Sequence, residues 1–357
     1  MSTDQDTFLL LDAAVPEQRA QWLDLWRTWP HRDVVAHPGY VELFVRPGDR
    51  VVCACQMVKE SGILFPLIVR PLRSEPWGRG EGETCDLVSP YGYGGPFGWG
   101  RYNVEKFWTG FELWAQANRA VSLFTRFSLF KDHLIPFFGD TVAKGPCVIV
   151  PLNQEPNAML DSYAKTVRRN VRQAERAGVT LEPDRECRRL EEFLSVYYAT
   201  MNRVGARPMY YFPKWFFEQL IVGLPNQVLL FHALHDQQVV SSQLILISEH
   251  HLYAFLDGTL DEGLQLHANP CLTHGVNLWG SAQGKQHVVL GGGYSGEDGL
   301  LHYKQRYAPN GSVLFSVGSK IFDHDVYHAL IEIRAAWEFQ QGHHWAPSCD
   351  FFPAYRG

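Results

Sequence analysis

Hydrophobic and polar positions along this chain switch between a helical period and strict alternation, and the switches mark its elements. In residues 16–28 (PEQRAQWLDLWRT) Trp22, Leu23 and Trp26 recur at helical spacing. Tyr40 to Phe44 reads as a second, short helix. The runs RVVCACQMV (50–58) and GILFPLIVRPL (62–72) predict two strands of a hairpin around a polar turn at Lys59–Gly62. A long glycine-rich loop (86–100) follows, then a helix over 103–118, a strand within AVSLFTRFSLF (120–130) and another in GPCVIVPL (145–152).

The second half repeats this order. A basic helix over about 160–177 leads to VTLE (179–182) and to helices near 189–203 and 213–222. The stretch 227–258 predicts a three-strand meander with short polar turns, HDQQ and EHH. A helix over about 271–283, a strand HVVLGG (287–292), a short helix 299–306, a strand SVLFSVG (312–318) and a helix 324–340 complete the chain. The repeated order predicts an α/β protein made of two copies of one unit packed together, divided as 1–155 and 156–357.

Composition narrows the class. With 357 residues, 46% apolar and 20% charged, the chain supports about two folded domains. A net charge of -6 argues against a general polyanion binder, so any nucleic-acid contact must come from a local basic patch. The opening MSTDQDTFLLLDAAVPEQ lacks a basic segment followed by an apolar one, and no apolar run approaches the ~18 residues of a membrane helix. The seven cysteines are scattered, without the spacing of a zinc ribbon or a CxxC pair. The expected compartment is the reducing cytoplasm.

Several segments carry candidate chemistry. Lys165, Arg168, Arg169, Arg172 and Arg176 crowd one helix, with Arg168, Arg172 and Arg176 spaced by four and Val167, Val171 and Ala174 forming the buried stripe. This face either holds phosphates or is a solvated face paired with Glu175 or Glu182. In SPYGYGGPF (89–97), glycines around Gly94 allow close backbone approach while Tyr91 and Tyr93 offer flat faces: a cleft wall, or an ordinary loop. The turn Gly291-Gly292-Gly293-Tyr294-Ser295-Gly296 fits G-x-G-x-x-G, but the next strand ends without the acidic residue of a dinucleotide fold. Its amides suit an oxygen anion, and Asp298 suits the cap of the next helix. His232/His235, His250/His251 and His343/His344 lack a third ligand at zinc spacing, so no metal is expected. No G-x-S-x-G exists for a serine hydrolase.

Four segments, SPYGYGGPF (89–97), VRRNVRQAERAGVTLE (167–182), YYATMNRVGARPMYYFPKWFF (197–217) and LGGGYSGEDGLLHYKQRY (290–307), resemble in order and spacing the Fem family. These are aminoacyl-tRNA-dependent peptidyltransferases and relatives built from two GNAT (acetyltransferase) folds. The resemblance implies two tandem GNAT-like domains. The long coiled-coil arm of the larger members has no counterpart here. It also implies transfer of an aminoacyl group from aminoacyl-tRNA to the amine of a small-molecule or peptide acceptor, in peptidoglycan-precursor or antibiotic biosynthesis, with no cofactor.

By the same resemblance Lys304 matches the family's lysine after the glycine turn, where an ammonium steadies the tetrahedral oxyanion, and Tyr303 replaces its phenylalanine. Asn202, Arg203 and Tyr211, with Met201 and Tyr210, take cleft positions, although at helical spacing Tyr197, Met201 and Val204 fit a core equally well; Gly292 and Gly293 are further substrate-binding positions. Asp86, Asp257 and Glu297 are the candidate proton acceptors, with the substrate itself as another. An acyl-CoA donor is the alternative, although Leu264–Cys271 lacks the glycines of the usual pyrophosphate turn. A non-catalytic binding protein on the same fold is the second alternative.

Overall fold

The computed structural model describes residues 7–58, 60–78, 80, 82–294 and 298–357. Lys59 of the expected hairpin turn, and Ser295, Gly296 and Glu297 of the second glycine turn, lie outside the described residues. The chain divides into two compact units: Met1–Lys144 with Phe315–Gly357, and Gly145–Leu314.

The first unit opens with β1 (Phe8–Asp12), α1 (Pro16–Thr28), α2 (Pro38–Val41), β2 (Arg50–Val58), β3 (Ser61–Pro71), β4 (Cys85–Val88), β5 (Phe97–Trp99), α3 (Val104–Ala117) and β6 (Ala120–Arg126). Strand β7 (Asp140–Pro151) carries the chain into the second unit. There follow α4 (Pro156–Ser162), α5 (Lys165–Arg176), β8 (Thr180–Asp184), α6 (Leu190–Arg203), α7 (Lys214–Gly223), β9 (Val228–His235), β10 (Gln238–Ile247), β11 (His251–Thr259), α8 (Asp261–Gln265), α9 (Ala268–Ala282), β12 (His287–Gly291) and α10 (Gly299–Gln305). The chain then returns to the first unit through β13 (Ser312–Ile321) and α11 (His324–Gln340).

That return redraws the expected division at 155/156. Val317–Ile321 of β13 pair with Ser122–Arg126 of β6, and Tyr327 and Leu330 of α11 pack on Leu72, Trp77 and Val121. A strand and a helix that bury apolar faces against one sheet belong to it, whatever their distance along the chain.

The sheet of the first unit runs β1-β2-β3-β4-β6-β13, with β5 on β3. Its core sets Phe107, Phe111 and Ala115 of α3 against Val52, Phe65, Leu67, Leu87 and Leu123. Strands β4 and β6 are parallel, joined through α3, and β4 occupies part of the segment expected to be loop. The sheet of the second unit runs β7-β12-β11-β10-β9-β8. Val167, Val171 and Ala174 of α5 and Leu272 and Val276 of α9 bury against Leu229, Phe231, Ile245, Leu252 and Val288. The repeated sequence order thus gives two mixed α/β units, each with a helix-bridged parallel strand pair.

The expected basic helix is broken at Tyr163–Ala164 into α4 and α5. Helix α9 begins three residues earlier than the sequence predicts. Pro270 sits in its first turn, where the missing N–H costs no hydrogen bond. This shift places Asn269 on the helix.

Candidate active site

The second unit contains a gap in its ladder. Strand β11 pairs with β12 in parallel only over His251–Tyr253 against His287–Val289. Past that point β11 follows β10, with a bulge between Leu244 and Ile245, while β12 stays with β7 and ends at Gly291. The parallel strands therefore part into a wedge beyond Tyr253 and Val289. In the first unit the corresponding point past β4 and β6 is stapled. Ser89 N donates to Phe124 O at 3.0 Å, Arg126 N to Ser89 Oγ at 2.9 Å, and the Arg126 guanidinium to Ser89 O and Pro90 O at 3.3 and 3.4 Å.

Around the wedge of the second unit stands one connected polar group. Gly258 faces α6, where a Cβ would come within 2.7 Å of Val196 O, so its neighbour Asp257 faces the opposite side, toward α9. There Asn269 Nδ2 donates to Asp257 Oδ2 at 3.3 Å. The Asn269 carbonyl accepts from Tyr303 OH and from Thr273 Oγ1, both at 3.2 Å, which fixes the amide with its N–H groups toward the carboxylate. Tyr303 OH also shares a 2.7 Å hydrogen bond with Tyr307 OH. Burial pushes the Tyr303 phenol up to about 12, so at neutral pH it remains a donor.

Lys304, from the same short helix, donates to Gly292 O at 2.7 Å. Asp298 fixes that helix by accepting from Leu301 N at 2.9 Å, as expected of a cap, and from Tyr294 N at 2.6 Å. Burial lowers the Lys304 ammonium, while the negative charges of Asp257 and Asp298 oppose it. Burial raises the Asp257 carboxyl, opposed by Lys304 and by the Asn269 hydrogen bond. Asp257 is nonetheless open to solvent. The two observations agree for a carboxylate recessed among protein atoms yet still reachable by a small molecule. The carboxyl is thereby raised and the ammonium lowered by the same burial, each partly offset by the other's charge.

The structure sorts the remaining candidates. Gly292 and Gly293 flank the Lys304 contact; a Cβ at Gly292 would stand 3.1 Å from Pro146 O. Tyr211 OH donates to Asn202 Oδ1 at 3.0 Å, and Arg203 binds Thr259 O at 2.7 Å and Asp261 at 3.3 Å, so these side chains tie the end of α6 to the loop beyond and to the end of β11. On α5, Arg168 folds back onto Asp161 O at 3.0 Å. Lys165, Arg169, Arg172 and Arg176 are exposed and form a row at intervals of four, three and four, with no ion pair to any described residue. Arg168, which shares a face with Arg172 and Arg176, lies half-buried at the edge of this row. Glu182 pairs with Arg189 at 3.3 Å and not with α5.

Asp86 is removed from the list of bases. It is fully buried between Arg70 at 2.7 Å and Arg356, an ion cluster with no room for a substrate proton. Tyr91, Tyr93 and Gly94 lie in the first unit; Tyr91 O accepts from Tyr40 OH at 2.9 Å, and the Tyr93 ring meets Phe315 edge-on. Among the described residues no group of three or more His, Cys, Asp or Glu could hold a metal, and no helix is long and apolar enough to cross a membrane. Asn269 and Thr273, central to the network, escaped the sequence reading. Nothing in a run ANPCLT signals that its asparagine meets a strand carboxylate and a tyrosine from a helix 34 residues on.

The profile of the family described as "Acetyltransferase (GNAT) domain" matches residues 161–305, the stretch that carries the helix-bridged parallel pair of the second unit. The whole chain has a Fem-like tandem GNAT fold. It is similar to the crystal structure of FemX at 12% identity, covering 87% of this chain and 98% of that one with a TM-score of 0.66. It is also similar to the C-terminal domain of a putative lysylphosphatidylglycerol synthetase from Agrobacterium fabrum (13% identity, 89% and 97% covered, TM-score 0.52) and to L-PGS from Bacillus licheniformis (12%, 93% and 98%, 0.51). No curated protein sequence matches the chain.

Proposed function

We propose that this protein is an aminoacyltransferase that takes an aminoacyl group from aminoacyl-tRNA and passes it to an amine, forming an amide. The observation that carries the reading is the Asp257–Asn269–Tyr303 chain beside Lys304 at the wedge of the second unit. Asp257 accepts a proton from the incoming ammonium, and the freed amine attacks the ester carbonyl. Lys304, already held by Gly292 O, directs a remaining N–H at the developing oxyanion. The nitrogen loses its second proton to solvent, the intermediate collapses to the amide, and the departing ribose oxygen takes up the proton held by Asp257. An aminoacyl ester is activated enough that this step needs neither metal nor nucleotide hydrolysis.

The exposed row Lys165/Arg169/Arg172/Arg176 supports tRNA as donor, because four cations on one helix with no ion pair to any described residue favour a polyanion even on a chain of net charge -6. The tandem fold shared with FemX is consistent with it. One donor orienting group of this kind is worth ~2.7–4 kcal/mol, so Lys304→Met is expected to lower turnover by about 100- to 1000-fold while leaving the unfolding midpoint unchanged.

Acyl-CoA is the second reading, favoured by the match to an acetyltransferase profile. Incubation with charged tRNA and, separately, with acyl-CoAs separates the two. Transfer abolished by ribonuclease supports the first reading; ribonuclease-resistant transfer from a thioester replaces it with the second. Transfer from neither donor to any amine returns the protein to the class of non-catalytic binders.

A further inference from the structure

Directly across the ladder from Asp257 stands Gln243 of β10. Paired residues on antiparallel strands point to the same face with Cβ atoms about 5 Å apart, so the Gln243 amide and the Asp257 carboxylate share the α9 side of the sheet. Gln243 is only 6% exposed, and its Oε1 has no hydrogen-bond partner. The neighbours that could have satisfied it are engaged elsewhere. Phe231, its partner on β9, is apolar, and Asn269 spends its carbonyl on Tyr303 and Thr273 and its amide on Asp257. A buried carbonyl oxygen left without a donor costs roughly 1–3 kcal/mol. Such an atom beside a reactive carboxylate points to a missing N–H.

We propose that Gln243 is the residue that selects an amine over an alcohol as acyl acceptor, by accepting an N–H of the acceptor while Asp257 accepts its proton. The inference rests on the amide-forming reading of the site and adds a specificity-determining residue to it. The chemistry is a matter of hydrogen count. An ammonium R–NH3+ that gives one proton to Asp257 keeps two N–H bonds and a lone pair. One N–H satisfies Gln243 Oε1, and the lone pair attacks. A hydroxyl that gives its only proton to Asp257 keeps none, so Gln243 stays unsatisfied. Sites built to bind a polar hydrogen reject analogues that lack it far more strongly than apolar pockets reject a size change.

The test uses binding, so that its failure is distinguishable from a failure of the transfer reaction. The full chain, labelled with 15N at glutamine, is titrated with ethylammonium, tetramethylammonium and ethanol at neutral pH. The Gln243 side-chain resonance is assigned by its loss in Gln243→Met. Expected are a saturable shift with ethylammonium, none with the other two, and loss of the shift in Asp257→Asn. An equal shift with tetramethylammonium reduces the site to a charge effect and overturns the proposal, as does an equal shift with ethanol or no saturable shift at all. With a turnover assay in hand, Gln243→Met is expected to raise KM for the amine at least tenfold with KM for the donor unchanged.

Discussion

Lys304 and Asp257 are displaced in opposite directions by the same cause. Burial disfavours the charged form of each, lowering the ammonium and raising the carboxyl, and their mutual attraction only partly offsets it. Activity through this pair is therefore expected to fall as pH drops through an Asp257 value above the ordinary carboxylate range. It is also expected to fall as pH rises through a Lys304 value below the ordinary lysine range. A kcat/KM profile should show this narrowed bell, with the acid limb gone in Asp257→Asn. An acid limb that survives the substitution assigns the base elsewhere.

Buried histidines contribute to acid sensitivity, two of them most strongly. His37 in the first unit and His274 in the second are both lowered to about 4, chiefly by burial, from an ordinary 6.5. Above 6.5 both states of each are neutral and pH has no effect; below it the unfolded chain takes up protons that the fold refuses. Stability is expected to decline as pH falls from 6.5 toward 4, by up to roughly 3 kcal/mol for each histidine at the lower end. Urea unfolding at several pH values checks this, and His274→Gln should remove part of the slope, since burial also lowers His232 and His287.

At the scale of elements, α6 shows how a strand residue fixes a helix. Gly258 lets α6 lie directly on β11, with Thr200 Oγ1 accepting from Thr259 N at 2.8 Å. An alanine there meets Val196 O and the Tyr197 backbone at under 3.0 Å, with backbone on both sides of the clash. Gly258→Ala is expected to cost ~1–3 kcal/mol, read as a lower urea midpoint, and to loosen Asp257 next to it. Helix α5 makes the opposite case. Its inner face is ordinary core, and its outer row is cationic with no ion pair to any described residue. Arg172→Glu should leave the urea midpoint within about 0.5 kcal/mol of wild type and lessen the salt dependence of tRNA binding; a lost phosphate contact reduces the logarithmic slope by about 1. An unchanged slope assigns the row to solvent.

At the scale of the whole molecule, the chain leaves the first unit, builds the second from one continuous segment and comes back. The second core draws only on residues between Val148 and Ala308, while the first needs β13 and α11. A fragment 145–314 is thus expected to unfold cooperatively by circular dichroism. A fragment 1–144 should do so only when 315–357 is supplied. The return is closed by Tyr355, whose hydroxyl meets Ser122 Oγ at 2.9 Å, and by Arg356 on Asp86 and Glu75. Removing one member of a buried ion cluster leaves the other uncompensated, so Arg356→Met is expected to cost ~3–5 kcal/mol, and Asp86→Asn in the same chain to recover part of it.

Local pattern was enough for the elements and for part of the site. The strands of the meander, the buried stripe Val167/Val171/Ala174, the Asp298 cap and the placement of Lys304 just past a glycine turn all depend on neighbours within a few residues, where periodicity and capping chemistry act. What the sequence could not settle depends on which distant segments share a sheet. Asp86 and Asp257 are both aspartates in strands; one is locked under two arginines and the other faces a wedge, because their strands meet different neighbours. The unit boundary, the fold-back of Arg168 onto Asp161, and the meeting of Asn269, Tyr303, Gln243 and Asp257 were all decided there. Burial, hydrogen-bond satisfaction and charge shifts are properties of a packed environment, and that environment exists only once strands far apart in sequence have paired.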